Sequence, residues 1–259
     1  MSEPEAYYLP LGGDLYRPTR ATESPWDRDL QHGGPPTALL GRHMAEQAPD
    51  PGMRLARITV EFLGPLPRQD LTVQAQIARP GKRIRMLEGA MYAGGRCVAL
   101  ARGWQIAVQP DLIGDLAVEA SQPPPPQPQR YFAELGSWGY GESIEWRWEK
   151  GSYDRPGSAT VWTRVRVPLV AQEPLGPLER ALLVADSANG VSAVLPLESW
   201  LFVPPGIAVT LHRHPQGEWV RMSAETMLAP DGLGSTCATL ADVQGRIGTV
   251  TQPLLVARR

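Results

Sequence analysis

Apolar and polar residues alternate along Arg57-Ile58-Thr59-Val60-Glu61-Phe62, the period of a strand with one buried face. Leu71 to Ile77 repeats the pattern. Ile84 to Tyr92 follows the punctuation Pro80-Gly81-Lys82 and reads as a third strand. Ala93-Gly94-Gly95-Arg96 makes a hairpin turn into a fourth, Cys97 to Val108. Ahead of this meander, Pro35 and Pro36 open the run TALLGRHMAEQA, where Ala38, Leu39 and Ala45 form an apolar stripe. Proline suits a first helical turn because its missing N–H would be unpaired there. Pro49 stops this helix of about three turns. Everything before Gln31 reads as irregular.

The same order recurs downstream. Trp146 to Trp148 and Ser158 to Val167 read as strands, and Leu178 to Gly190 as a helix closed by a C-cap glycine. The strands Ile207 to Leu211, Trp219 to Leu228, Ser235 to Asp242 and Arg246 to Val256 follow. Pro230-Asp231-Gly232 and Val243-Gln244-Gly245-Arg246 turn between them. Gly95-Arg96 before the last strand of the first half matches Gly245-Arg246 in the second. Between the halves runs Ser121-Gln122-Pro123-Pro124-Pro125-Pro126-Gln127-Pro128-Gln129, whose four consecutive prolines favour an extended spacer. The expected organisation is therefore an N-terminal domain over 1–114, a proline-rich linker over 115–130 and a C-terminal domain over 131–259. Helix followed by antiparallel meander, given twice, is an α+β pattern in which each sheet wraps one long helix and hides its stripe.

Composition narrows the partners. The 259 residues, 42% hydrophobic, suffice for a core, while 27 prolines and 26 glycines call for many turns and few long helices. A net charge of −2 gives no electrostatic case for nucleic acid or an anionic membrane. The N-terminus lacks a signal peptide's basic start and apolar run, and no stretch approaches the ~20 apolar residues of a membrane span. Cys97 and Cys237 lie far apart without metal spacing, which suits a reducing, cytoplasmic compartment. His212 and His214 share a strand face, but no third ligand accompanies them, so no metal is expected. Arg213 or Arg221 could meet phosphates, or simply be solvated. There is no G-x-S-x-G elbow, P-loop or dinucleotide fingerprint.

Two stretches carry a resemblance. One is His32-Gly33-Gly34 leading into the first helix and on to RITVEFLGPLP. The other is LLVADSANG, then LHRHPQGEW, then Asp242-Val243-Gln244-Gly245-Arg246 through Gln252. In order and spacing, over nearly the whole chain outside the linker, these resemble the acyl-CoA thioesterase II family. The resemblance implies a double hot-dog whose halves form a pseudo-dimer, with an acyl thioester bound where they meet and no cofactor. It implies catalytic roles for Asp186, in the central helix of the second half, and for Gln252, late in the last strand. The family's third group is a hydroxyl on the strand before the His-Arg pair. Here Val203-Pro204-Pro205-Gly206-Ile207-Ala208 has none; Thr210 is the nearest downstream and Ser199 the nearest upstream. Thr210 is taken as the third candidate.

The residue types suit thioester hydrolysis. A carboxylate can take the proton of an attacking water, and a glutamine amide both donates and accepts. Asp186 sits among Leu182, Leu183, Val184, Ala185 and Ala188, so a partly buried acid with a raised pKa is expected. It equally reads as a helix-terminal Asp bound to nearby backbone, and Gln252, followed by Pro253, as a strand residue facing water. The glycines of His32-Gly33-Gly34 permit close backbone approach to a substrate, or simply a turn before the helix. His32 itself reads as a hydrogen-bonded structural residue. A hydratase pairs its Asp with a nearby His, and Ser187-Ala188-Asn189-Gly190-Val191 contains none. The other reading is a hot-dog protein that binds an acyl thioester without hydrolysing it. Acyl length, the choice of coenzyme A or a protein-bound pantetheine, and the state as monomer or homo-oligomer are not encoded in these motifs.

Overall fold

A computed structural model describes residues 5–47, 49–110, 112–114, 119–129 and 136–259. The first half contributes β1 (Tyr8–Gly12), β2 (Leu15–Pro18), α1 (Gly34–Glu46), β3 (Met53–Phe62), β4 (Leu71–Arg79), β5 (Ile84–Ala93) and β6 (Arg96–Ala107). The second contributes α2 (Gly139–Glu142), β7 (Ile144–Ser152), β8 (Arg155–Val165), α3 (Pro177–Ala185), α4 (Ala188–Val191), β9 (Trp200–Val203), β10 (Gly206–Leu211), β11 (Trp219–Leu228), β12 (Leu233–Asp242) and β13 (Gly245–Arg258). The strands join in one sheet, ordered β1-β2-β4-β5-β6-β3-β10-β13-β12-β11-β8-β7, with β9 beside the far end of β13. The antiparallel β3–β10 pair, Ile207 opposite Val60, is the seam between the halves.

Alternation sets the layers. In β3, Leu55, Ile58 and Val60 point inward while Arg57 and Glu61 face water. Helix α1 packs on β3 to β6, and α3 and α4 on β8 and β11. The two helices meet at glycines. A Cβ on Gly41 would lie 2.3 Å from Leu182 Cδ1, and one on Gly34 2.2 Å from the Leu183 carbonyl. The main apolar cluster accordingly runs through both halves, from Leu39 and Met91 to Leu182 and Leu240.

Three departures from the expected pattern matter. First, the segment before Gln31 is not irregular: it holds β1 and β2, and Tyr7 and Tyr8 donate their backbone N–H groups to Pro168 and Leu169 in the other half. Second, the helix expected over Leu178 to Gly190 is divided. Asp186 and Ser187 separate α3 from α4, and Gly190 lies inside α4 rather than capping it. Short polar side chains compete with helical backbone bonding, and Ser187 Oγ is instead bonded to the Tyr140 hydroxyl at 2.7 Å. One long helix per half is therefore correct for α1 only. Third, β9 and β10 form an interrupted strand. Pro204 and Pro205 lack the N–H groups needed to pair, so the ladder along β13 opens beside Gln252 and Pro253.

The described part of the proline-rich run is docked against the free edge of β7. The Gln129 side chain accepts from Trp146 N at 2.9 Å and donates to Trp146 O at 3.1 Å. Gln127 treats Trp148 likewise, at 2.8 and 2.9 Å. Glutamine amides thus replace a backbone ladder that the prolines could not supply. No helix among the described residues is long and apolar enough to cross a membrane.

Candidate active site

Asp186 closes α3 and is held where the N-terminus of α1 meets it. Its position is fixed from both halves. Gln252, buried on β13, donates Nε2 to Asp186 Oδ1 at 2.8 Å. The Gln252 Oε1 accepts the backbone N–H of Asn189 at 3.2 Å. The Gly33 backbone N–H also bonds the carboxyl, and a Cβ on Gly33 would lie only 2.6 Å from Oδ2. That near-contact is why glycine stands there. Despite these donors, burial pushes the Asp186 carboxyl up to about 7.

His32 completes the cluster. Its Nδ1 lies 3.3 Å from Asp186 Oδ2 and accepts the Gly34 N–H at 3.1 Å. The ring stacks on Tyr140 with centroids 3.8 Å apart and planes 5° from parallel. Burial lowers the imidazole to about 3, so His32 is neutral at ordinary pH. With its Nδ1 lone pair taken by the Gly34 N–H, His32 sits beside Asp186 as an uncharged wall of its site. The Tyr140 hydroxyl donates to the Leu183 carbonyl at 2.8 Å, tying this stack to α3.

A cavity of about 370 Å³ opens onto Asp186. Its walls are Ser24 to Gly33 from the first half, Phe62 to Leu66 at the end of β3, and Leu201 to Pro205 from the interrupted strand. The lining is largely apolar, with Asn189 and Gln31 as additional polar groups. It can hold an uncharged chain and present one carbonyl to Asp186.

The sequence-derived candidates are divided by this geometry. Asp186, Gln252, His32 and Gly33 converge. Gly34 sits beneath them, pressed on Leu183, and does not line the cavity. Thr210 is not part of the cluster. It follows buried Val209, so its side chain takes the outward phase of β10 and is exposed, opposite Thr249 and Arg57. Ser199 is likewise exposed. The hydroxyl that does line the cavity is Ser24, from the segment read as irregular. Asn189 and Tyr140 were not anticipated. Asn189 was within reach of sequence reasoning, three residues past Asp186; Tyr140 stacks across more than a hundred intervening residues, with no local signal. Arg213 is bound to buried Asp242 at 2.5 and 2.6 Å, and Arg221 to Glu149 at 2.7 and 2.8 Å, so both arginines are committed to internal pairs. Among the described residues no three His, Cys, Asp or Glu side chains form a metal-binding group.

Comparison with known proteins gives this geometry its context. The model of the acyl-CoA thioesterase C-terminal domain matches residues 117–256, and that of the acyl-CoA thioesterase N-terminal domain residues 22–106. No curated protein matches at the sequence level. Among solved structures, an acyl-CoA thioesterase II from Mycobacterium marinum is similar at 16% identity and a TM-score of 0.69, covering 97% of this chain and 95% of that one. The tesB protein of Mycobacterium avium subspecies paratuberculosis is similar at 14% identity and 0.66, covering 96% and 95%. A hot-dog-fold protein from Alicyclobacillus acidocaldarius is similar at 17% identity and 0.72, covering 98% and 97%. Such identities speak to fold; the two matched domain models, spanning both halves, speak to descent. The chain belongs to the acyl-CoA thioesterase II family and has the hot-dog fold.

Proposed function

We propose that this protein hydrolyses an acyl-CoA, or a related acyl-pantetheine thioester, by water attack with Asp186 as general base. The supporting observation is a buried carboxyl, titrating near 7 and bonded to Gln252, beside an apolar cavity of about 370 Å³. A base is most effective when its pKa lies close to the working pH. In the reaction, the ionised Asp186 accepts a proton from water as the water oxygen bonds to the thioester carbonyl carbon. The tetrahedral adduct then breaks its C–S bond, and the thiolate recovers the proton from Asp186. The products are a carboxylic acid and a free thiol.

Gln252 holds the carboxyl in place, and the open sheet at Pro204-Pro205 leaves room for water beside it. The Asn189 side chain borders the cavity and spends one N–H on the Phe202 carbonyl at 3.2 Å. An amide carries two such donors, so the second suits the developing oxyanion.

A second reading, an acyl-thioester-binding protein without turnover, draws on the apolar Val203-Pro204-Pro205 wall where the family's hydroxyl is expected and on the full engagement of the Gln252 amide. Thiol release from a panel of acyl-CoAs separates the two. For the hydrolase, Asp186→Asn should reduce kcat by about a hundredfold to ten-thousandfold, as loss of general-base catalysis does. Equal, slow release by wild type and variant, with binding intact, would favour the non-catalytic reading.

A further inference from the structure

Adjoining the cavity at His32 lies a second and much smaller pocket of about 40 Å³. Trp26, His32 and Asn189 border both spaces, so the smaller one adjoins the cavity onto which Asp186 opens. The inner walls are aromatic: Trp138, Tyr140, Trp146 and Tyr153. Three of these four are buried.

The walls are pinned. Trp146 donates its indole N–H to the Gly141 carbonyl at 2.9 Å, and Tyr140 is fixed by its bonds to Leu183 and Ser187. Tyr153 meets Trp146, Trp138 and Trp148 edge-on, at centroid distances of 5.9, 6.4 and 4.7 Å. Aromatic side chains locked in this way resist rearrangement, because widening the chamber breaks several contacts at once. A water needs roughly 10–15 Å³ by the same kind of measure, so the chamber holds about three such bodies.

Substrate polarity fixes which end goes where. Coenzyme A is bulky and its phosphates must remain hydrated, so the carrier arm leaves through the cavity of about 370 Å³, the only one of the two large enough to pass it. With the thioester carbonyl beside Asp186 and Asn189, the acyl group continues past His32 into the aromatic chamber. We infer that the chamber is the acyl pocket and restricts this protein to short aliphatic acyl groups, of about four carbons or fewer.

The inference rests on the reading of Asp186 as the reacting centre, but its test does not need turnover. Binding of S-propyl-CoA and S-dodecyl-CoA thioethers, which cannot be hydrolysed, would be measured by titration calorimetry. S-propyl-CoA is expected to bind at least about tenfold more tightly, since a hydrophobic pocket discriminates about tenfold or more per misfit methylene. Tyr153→Ala, which removes the half-buried wall, should narrow or reverse that ratio. Val191→Phe, which adds bulk to the chamber, should weaken S-propyl-CoA specifically; either variant carries the test if the other does not fold. Equal or tighter binding of the dodecyl thioether to wild type, or no binding of either, overturns the inference. Tight propyl binding without hydrolysis of any acyl-CoA would leave the pocket standing and defeat the hydrolase reading alone.

Discussion

Asp186 lies at the C-terminal end of α3, the negative end of a helix dipole, and faces the N-terminal end of α1. The first disfavours its charge, while Gly33 N–H and Gln252 Nε2 favour it; desolvation exceeds both and leaves the carboxyl near 7. This has a consequence for stability. With a folded pKa of about 7 against 3.8 for the free group, the native state retains a proton that the unfolded chain has lost. The stabilisation is complete below 3.8 and disappears as pH rises through 7, at a cost on the order of 4 kcal/mol. Asp186→Asn, which keeps a neutral group of similar shape, should therefore gain in Tm over wild type between pH 5 and pH 8 while losing activity. A constant Tm difference across that range would contradict the buried titration. At this scale the sequence was partly legible. Apolar neighbours marked Asp186 as buried, and the resemblance paired it with Gln252. The assignment of Thr210 rested on distance along the chain, which ignores strand phase: one residue's offset from an inward position turns a side chain outward. His32 was legible as a motif but not as a partner of Asp186, because nothing local records a contact across 154 positions (186 − 32).

Elements are punctuated by residues whose backbone limits are absolute. Pro204 and Pro205 interrupt the strand along β13 and thereby make one wall of the cavity. The proline run after Ser121 was legible as extended chain, but its docking was not. Gln127 and Gln129 alternate with Pro128, so both amides face β7 and pair with Trp148 and Trp146. An uncovered strand edge offers unpaired N–H and C=O groups to other chains. Replacing Gln127 and Gln129 together with alanine removes five hydrogen bonds, four of them to β7, each worth about 0.5–1.5 kcal/mol. The double variant should unfold at lower denaturant and associate through β7, seen as a concentration-dependent rise in mass by light scattering. An unchanged denaturant midpoint and mass would show that the glutamines protect nothing. Of the strands read from the sequence, β4 to β6 and β10 to β13 lie within about two residues of their expected bounds, while β3 begins at Met53, ahead of the expected Arg57. β1, β2 and β9 are four or five residues each, too short for a period to declare itself.

At the level of the whole molecule, the duplication visible in the sequence yields halves that share a sheet, a core and a site. β3 pairs with β10, the glycines of α1 meet α3, and β1 reaches across to Val170. Neither half encloses its helix stripe alone, so calorimetry should record one transition with equal calorimetric and van't Hoff enthalpies. Two resolved transitions would mean that the halves are energetically separate. The candidate site depends on the same union, since His32 and Gly33 come from one half and Asp186, Asn189 and Gln252 from the other. The most direct test of that site is the pH dependence of kcat/KM for acyl-CoA hydrolysis. Activity is expected to rise with pH as a single ionisation centred near 7, with the residual activity of Asp186→Asn lacking that step. A profile whose midpoint stays near 7 in the variant, or whose wild-type limb falls at the ordinary carboxylate value near 4, would contradict the assignment of Asp186 as the base.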